Sequence, residues 1–133
     1  DAFLPSEVEL AALVPGAALG DALATIATRT KGAVAVKLGP EGVLVWDRAA
    51  HSAVAVPALP VATLDPTGAG DSFCGGFLAG LVETGDPVEA ARFGAVAASA
   101  VVRHFGADGA LPMDRTTNRA TLARQVPEIS PCH

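Results

Sequence analysis

The sequence is short of aromatic residues, cysteine and positive charge, and each shortage narrows what it can be. It has no tyrosine, one tryptophan and five phenylalanines in 133 residues, so alanine, valine and leucine must fill the core. Half of the residues are apolar and 17% are charged, which is a globular balance rather than a disordered one. The length suits one domain or part of one. The formal net charge is −5, and the nine lysines and arginines are scattered. A field for a nucleic-acid backbone or an anionic membrane surface is therefore missing. A small phosphate is not excluded, because backbone N–H groups hold phosphates without adding formal charge. The two cysteines, Cys74 and Cys132, fit no ligand spacing. They read as reduced thiols of a cytoplasmic protein, with Cys74 a small core residue. The longest uncharged stretch, between Arg48 and Asp65, is interrupted by Pro57 and Pro60 and is too short to span a bilayer. The chain opens at Asp1 with no basic-then-apolar leader and ends in "SPCH". The expectation is a piece of a longer polypeptide.

Several site motifs are also missing. There is no G-x-x-x-x-G-K-[ST] phosphate loop. Gly68-Ala69-Gly70 starts a G-x-G-x-x-G pattern, but Phe73 stands where its third glycine belongs. Gly70-Asp71-Ser72-Phe73-Cys74 fails the hydrolase elbow G-x-S-x-G at its last residue. His51, His104 and His133 form no metal spacing and are expected at the surface or an interface.

What is present reads as alternating elements. Residues 4–14 show helical spacing, with Ser6 and Glu9 placed as a capping box. Residues 16–30 predict a second helix. Residues 31–39 and 42–47 predict strands joined by the tight turn Gly39-Pro40-Glu41-Gly42, and residues 51–59 predict a third. Residues 70–85 predict a helix ending at Gly85. Residues 86–106 predict another, capped by Asp86, with Pro87 in its first turn and Gly106 at its close. "ADGALP" is a loop, and a short helix is expected around 117–125. Strands flanked by helices on both sides in sequence imply a layered α/β architecture.

The segment "DPTGAGDSFCGGF", residues 65–77, carries the chemistry. Pro66 stiffens its entry, and Thr67-Gly68-Ala69-Gly70 leads straight into a helix. A helix start offers free N–H groups and the positive end of the dipole, and glycines let a ligand approach them. Asp71 has two readings: a first-turn helix cap, or a carboxylate working on a ligand bound there. The local pattern leaves both open. Phosphoryl transfer needs backbone donors for the charge on the phosphate and a carboxylate to orient or deprotonate the attacking hydroxyl. Gly68, Ala69, Gly70 and Asp71 supply both within four residues.

This stretch resembles the C-terminal signature of the ribokinase, or PfkB-type, family of sugar kinases, D-x-T-G-A-G-D-x-F-x-x-G-F. Asp65, Thr67, Gly68, Ala69, Gly70, Asp71, Phe73, Gly76 and Phe77 match it. "VAVKLGPEGVLVW", residues 34–46, resembles the family's nucleotide-contacting strand–turn–strand, which carries over to Lys37, Gly39, Glu41 and Gly42. "LPSEVEL" resembles the P-N-x-x-E segment, with Glu9 kept and Ser6 in place of Asn. "HFGADGALP" resembles the closing G-A-x-x-x-x-P loop. The likeness runs from about Leu4 to Pro112 but covers only the C-terminal half of the family's pattern.

The resemblance implies a ribokinase-like three-layer α/β/α fold, of which residues 1–133 are the C-terminal nucleotide-binding and catalytic portion, with 112–133 a variable tail. It implies transfer of the γ-phosphoryl of ATP to a hydroxyl of a sugar or sugar acid. Asp71 is then the base, and the N–H groups of Gly68, Ala69 and Gly70 form the anion hole. Mg²⁺ bridges the phosphates, with Glu9 acting through water. In many members a monovalent cation such as K⁺ sits nearby, and its matching positions are Asp65, Thr67, Val101, His104 and Gly106. Gly75 and Gly76 are expected to permit close helix packing. The parts implied to be elsewhere are the sugar-contacting half and, in the intact protein, a homodimer partner, and this fragment alone is expected to be inactive and to self-associate or be only marginally soluble. The rival readings are a kinase of a nucleoside or vitamin precursor, a non-catalytic nucleotide-binding module, and a plain structural α/β domain.

Overall fold

The computed structural model describes residues 1–106, 115–124 and 130–131. Its centre is a five-stranded sheet in the order β1-β2-β3-β4-β5. The strands are β1 (Ala2–Phe3), β2 (Ala33–Lys37), β3 (Val43–Asp47), β4 (Ser52–Val56) and β5 (Ser130–Pro131). β1 runs parallel to β2, and the other neighbours are antiparallel. The β2–β3 connection is a short 3₁₀ turn over Gly39–Glu41, as the Gly-Pro-Glu-Gly tetrad predicts.

Side chains alternate across a strand, so each strand feeds two cores. Val34, Val36, Leu44 and Ala53 face one way, where Leu10, Ala22, Leu23, Ile26 and Ala27 cover them. Those residues come from α1 (Glu7–Leu13) and α2 (Leu19–Arg29). Ala33, Ala35, Val43, Val45 and Val56 face the other way, onto Phe73, Phe77, Ala90 and Ala91. Those belong to α3 (Ala69–Thr84) and α4 (Pro87–Val101). The result is helix, sheet, helix: the three-layer α/β/α arrangement. A further helix, α5 (Arg115–Arg124), covers the region where a helix is predicted around 117–125. No helix among the described residues is long and apolar enough to cross a membrane.

Local signals place the helix starts. Ser6 and Glu9 form the capping box of α1. Asp86 caps α4, its carboxylate accepting from Val88 N at 2.8 Å and Glu89 N at 3.4 Å, and Pro87 follows it. Boundaries differ from the sequence expectation where tertiary pairing intervenes. The helix expected from residue 4 begins at Glu7, because Lys37 N donates to Pro5 O at 2.9 Å and Ser6 bridges Lys37, which keeps this segment extended. The helix expected from residue 16 begins at Leu19, after Gly16 takes φ +76°. The helix expected to reach Gly106 ends at Val101. The "ADGALP" loop, residues 107–112, lies outside the described residues. Arg48, unremarkable in sequence, ties β3 back to α2 by donating to the carbonyls of Ala27, Thr30 and Gly32 at 3.0, 2.6 and 2.6 Å.

α3 and α4 pack closely. A Cβ on Gly76 would lie 2.7 Å from Phe93 O and 2.8 Å from Ala97 Cβ; one on Gly80 would meet Phe93, and one on Gly94 would meet Phe73. Gly75, expected to share this role, instead faces open space. Phe73 and Phe77 stack with ring centroids 6.0 Å apart, which fixes the first turns of α3 over the sheet.

Candidate active site

The site lies where the C-terminal end of β2, the start of α3 and the end of α4 converge. The loop before α3 is tied down on one side by α4: Leu64 N and Asp65 N both donate to Val102 O, at 2.7 and 3.2 Å. Asp65 closes the loop with its carboxylate. Its Oδ1 accepts from Thr67 N at 2.9 Å and its Oδ2 from Gly106 N at 2.8 Å. Hydrogen bonds from the Thr67 side chain and from the Gly106 and Thr67 amides hold its pKa below the ordinary aspartate value. Asp65, Thr67, Val102 and Gly106 thus form one braced cluster. The carbonyl of Val101, a position the resemblance gives to the monovalent cation, accepts from His104 N at 3.1 Å. His104 itself is exposed.

Gly68 then turns the chain into α3. Its φ of +81° is a left-handed conformation that glycine adopts without steric penalty. The turn uses one amide: Ala69 N donates to Pro66 O at 3.1 Å. Ser72 N starts the helical ladder by donating to Gly68 O at 3.0 Å. Within the described residues the amides of Gly68, Gly70 and Asp71 meet no acceptor. The free donors are therefore these three, and the Ala69 amide, expected among them, is spent on the turn. The Asp71 carboxylate is exposed and makes no hydrogen bond among the described residues. Gly68, not Asp71, occupies the cap position, and no side chain caps this helix by a hydrogen bond. Asp71 lies in the first turn, where a carboxylate also complements the helix dipole.

Lys37 approaches from β2. Its Nζ donates to Cys74 Sγ at 3.7 Å and lies 3.8 Å from where a Cβ on Gly70 would stand. Cys74, expected in the core, is only half-buried, one helical turn beyond Gly70. Nothing in the local sequence ties Cys74 to Lys37. Glu9 sits close enough to feel the Lys37 charge. Its Oε2 accepts from Ser6 N at 2.7 Å and Ser6 Oγ at 2.9 Å. These Ser6 bonds, the backbone one foremost, and more weakly Lys37, lower its pKa.

The Gly39–Gly42 turn flanks the site. Leu38 N donates to Gly42 O at 2.8 Å. Gly42 takes φ +104°, and a Cβ there would fall 2.2 Å from Val56 O, so no other residue fits. Glu41 is exposed. Among the described residues no three His, Cys, Asp or Glu side chains converge as a metal cluster. A cavity of about 710 Å³ lies at the opposite end of the sheet, lined by Lys31, Trp46, Arg48, Leu81, Pro87 and Val88, away from Gly68–Asp71.

Known proteins share this fold. The pfkB family carbohydrate kinase profile matches residues 1–114. A ribokinase of Lactococcus lactis is 35% identical over 112 residues, which is 84% of this chain and 35% of that protein. The solved structure of Arabidopsis thaliana ribokinase complexed with ribose and ATP superposes with a TM-score of 0.77 at 32% identity, over 92% of this chain and 40% of that one. A putative ribokinase II of E. coli in complex with ATP and Mg²⁺ superposes with a TM-score of 0.77 at 27% identity, over 93% and 39%. The chain spans about a third of the length of the curated relatives it matches. It has the ribokinase-like α/β fold and belongs to the pfkB family of carbohydrate kinases.

Proposed function

We propose that the protein containing this chain transfers the γ-phosphoryl of ATP to a hydroxyl of a sugar or sugar acid, in the cytoplasm, with this chain as its nucleotide-binding and catalytic portion. One observation carries the reading: unpartnered amides of Gly68, Gly70 and Asp71 and an unpartnered Asp71 carboxylate share one helix start. The amides suit the charge on a phosphoryl oxygen, and the carboxylate is free to take the proton of an attacking hydroxyl. The acceptor oxygen bonds to phosphorus, the bond from the γ-phosphorus to the β,γ-bridging oxygen breaks, and ADP leaves with that electron pair.

Lys37, Gly39, Glu41 and Gly42 would line the nucleotide, with the apolar face of α4. The donor set fits a magnesium ion held through water: Glu9 keeps one carboxylate oxygen clear of Ser6, and Asp71 is free. Bound there on the phosphates, the ion would neutralise their charge. The braced cluster of Asp65, Thr67 and Gly106, with the carbonyls of Val101 and His104, would offer oxygens to a monovalent cation such as K⁺. The acceptor would be held by the part of the protein outside this chain, and a second copy would complete a homodimer.

ADP release by the intact protein, followed with ATP and Mg²⁺ over a panel of sugars, sugar acids and nucleosides, tests this. A phosphorylated sugar or sugar acid is expected. Turnover of a nucleoside alone moves the acceptor class, and ATP binding with no phosphorylated product marks a non-catalytic nucleotide module.

A further inference from the structure

We propose that the Lys37 ammonium is a catalytic group that touches the phosphoryl while it is being transferred, beyond any part it has in holding the nucleotide. The proposal rests on the phosphotransfer reading above.

Lys37 is fixed at its backbone. Its N–H donates to Pro5 O at 2.9 Å, it bridges Ser6, and it pairs with Val43 across β2 and β3. A lysine so anchored at a strand end has only its side chain to move. That side chain is half-buried and runs to the first turn of α3, with Nζ against Gly70 and Cys74. Its one hydrogen-bond partner there is a thiol sulfur, a weak acceptor. Among the described residues Lys37 forms no ion pair. Glu9 is within range of its field, but the Glu9 carboxylate is engaged by Ser6.

The charge arrangement is therefore one-sided. The start of a helix carries roughly half a positive charge, and the ammonium lies beside it. Two positive ends facing one space repel in the absence of an anion between them. A phosphoryl group reverses that sign, because its oxygens accept from the ammonium and from the free amides together. Glycine at position 70 keeps the gap open, since the Cβ position there is already at van der Waals distance from Nζ. Asp71 follows Gly70 in the first turn of α3, the same turn that the ammonium approaches. During transfer, charge spreads over the three equatorial oxygens of the phosphoryl. An ammonium that meets those oxygens lowers the barrier; one that meets only the resting nucleotide lowers KM instead.

The test uses the intact protein and the acceptor it turns over best. K37M should lose about 10²- to 10³-fold in kcat, the usual loss for one transition-state donor, with KM for ATP within about threefold of wild type. K37R, which keeps the charge, should recover at least about tenfold over K37M. A kcat within about threefold of wild type in K37M, or a loss confined to KM, overturns the proposal. A measurement on the wild type covers the case in which K37M fails to fold. Acylation of lysine amines, read by mass spectrometry, should find Lys37 protected more strongly by ADP with aluminium fluoride, a mimic of the transferring phosphoryl, than by ADP alone. Equal protection by ADP alone overturns the proposal. D71N, assayed in parallel, separates the two layers: full activity in D71N sinks the phosphotransfer reading itself, whereas an inactive D71N beside an unaffected K37M sinks only the role of Lys37.

Discussion

Two adjacent glycines in α3 should respond in opposite directions to the same substitution. Alanine in a helix interior is favoured over glycine by about 1 kcal/mol. At Gly75, where an added Cβ meets nothing within 4 Å, Gly75→Ala should realise most of that gain. At Gly76 the same methyl would stand 2.7 Å from Phe93 O, 2.8 Å from Ala97 Cβ and 3.0 Å from Gly94 Cα. Two of these contacts are with the backbone of α4, which moves only if the helix moves. Overpacking costs roughly 1–3 kcal/mol, and two backbone contacts this close call for the upper part, about 2–3 kcal/mol, so after the propensity gain Gly76→Ala should destabilise by about 1–2 kcal/mol. Because α3 carries Gly68–Asp71 at its start, any shift of α3 against α4 should also lower kcat. Thermal unfolding of the intact protein reads both. With roughly 2–4 °C per kcal/mol for a protein of this family's size, Gly75→Ala should raise Tm by about 1–4 °C and Gly76→Ala should lower it by about 2–8 °C. Equal stabilisation by both would refute the close α3–α4 packing, and with it the argument for how the site is positioned.

Other predictions follow from single residues. Gly42→Ala forces a methyl to within 2.2 Å of Val56 O at φ +104°, so it should disrupt the β3–β4 edge and sharply reduce soluble yield; normal yield and Tm would contradict the turn geometry. Asp65 has a folded pKa below its ordinary value of 3.8, so its stabilisation is present above that value and is lost as pH falls through the folded pKa. Wild type should therefore exceed D65N in Tm near neutral pH and converge with it in acid. A constant gap across a pH series from about 7 to 3 would show that the Thr67 and Gly106 bonds do not involve the ionised carboxylate.

Much of this fold is legible locally. The Ser6–Glu9 box and the Asp86-Pro87 start are encoded within a few residues, and the three central strands follow from short valine-rich runs. The elements that escape the sequence depend on distant partners. β1 and β5 are each two residues long and exist because β2 and β4 offer them edges. Arg48 is informative only once Ala27, Thr30 and Gly32 end nearby. The site divides in the same way. Gly68, Gly70 and Asp71 are visible as a motif, but the loss of the Ala69 amide to Pro66 depends on the geometry of the turn. The tie of Leu64 and Asp65 to Val102 depends on where α4 stops, and the Lys37–Cys74 approach joins segments 37 residues apart. Asp71 gains most from the structure, because a cap and a base look alike in sequence and differ in whether the carboxylate is already hydrogen-bonded.

The proposed proton transfer from the acceptor hydroxyl to Asp71 at the start of α3 can be tested in one variant. Asp71→Asn keeps the shape and the free amides but removes the base. The most direct measurement is kcat for this variant of the intact protein beside its Kd for ATP from calorimetry. The account predicts a loss of about 10²- to 10⁴-fold in kcat with Kd within a few-fold of wild type. Turnover close to wild type would contradict it.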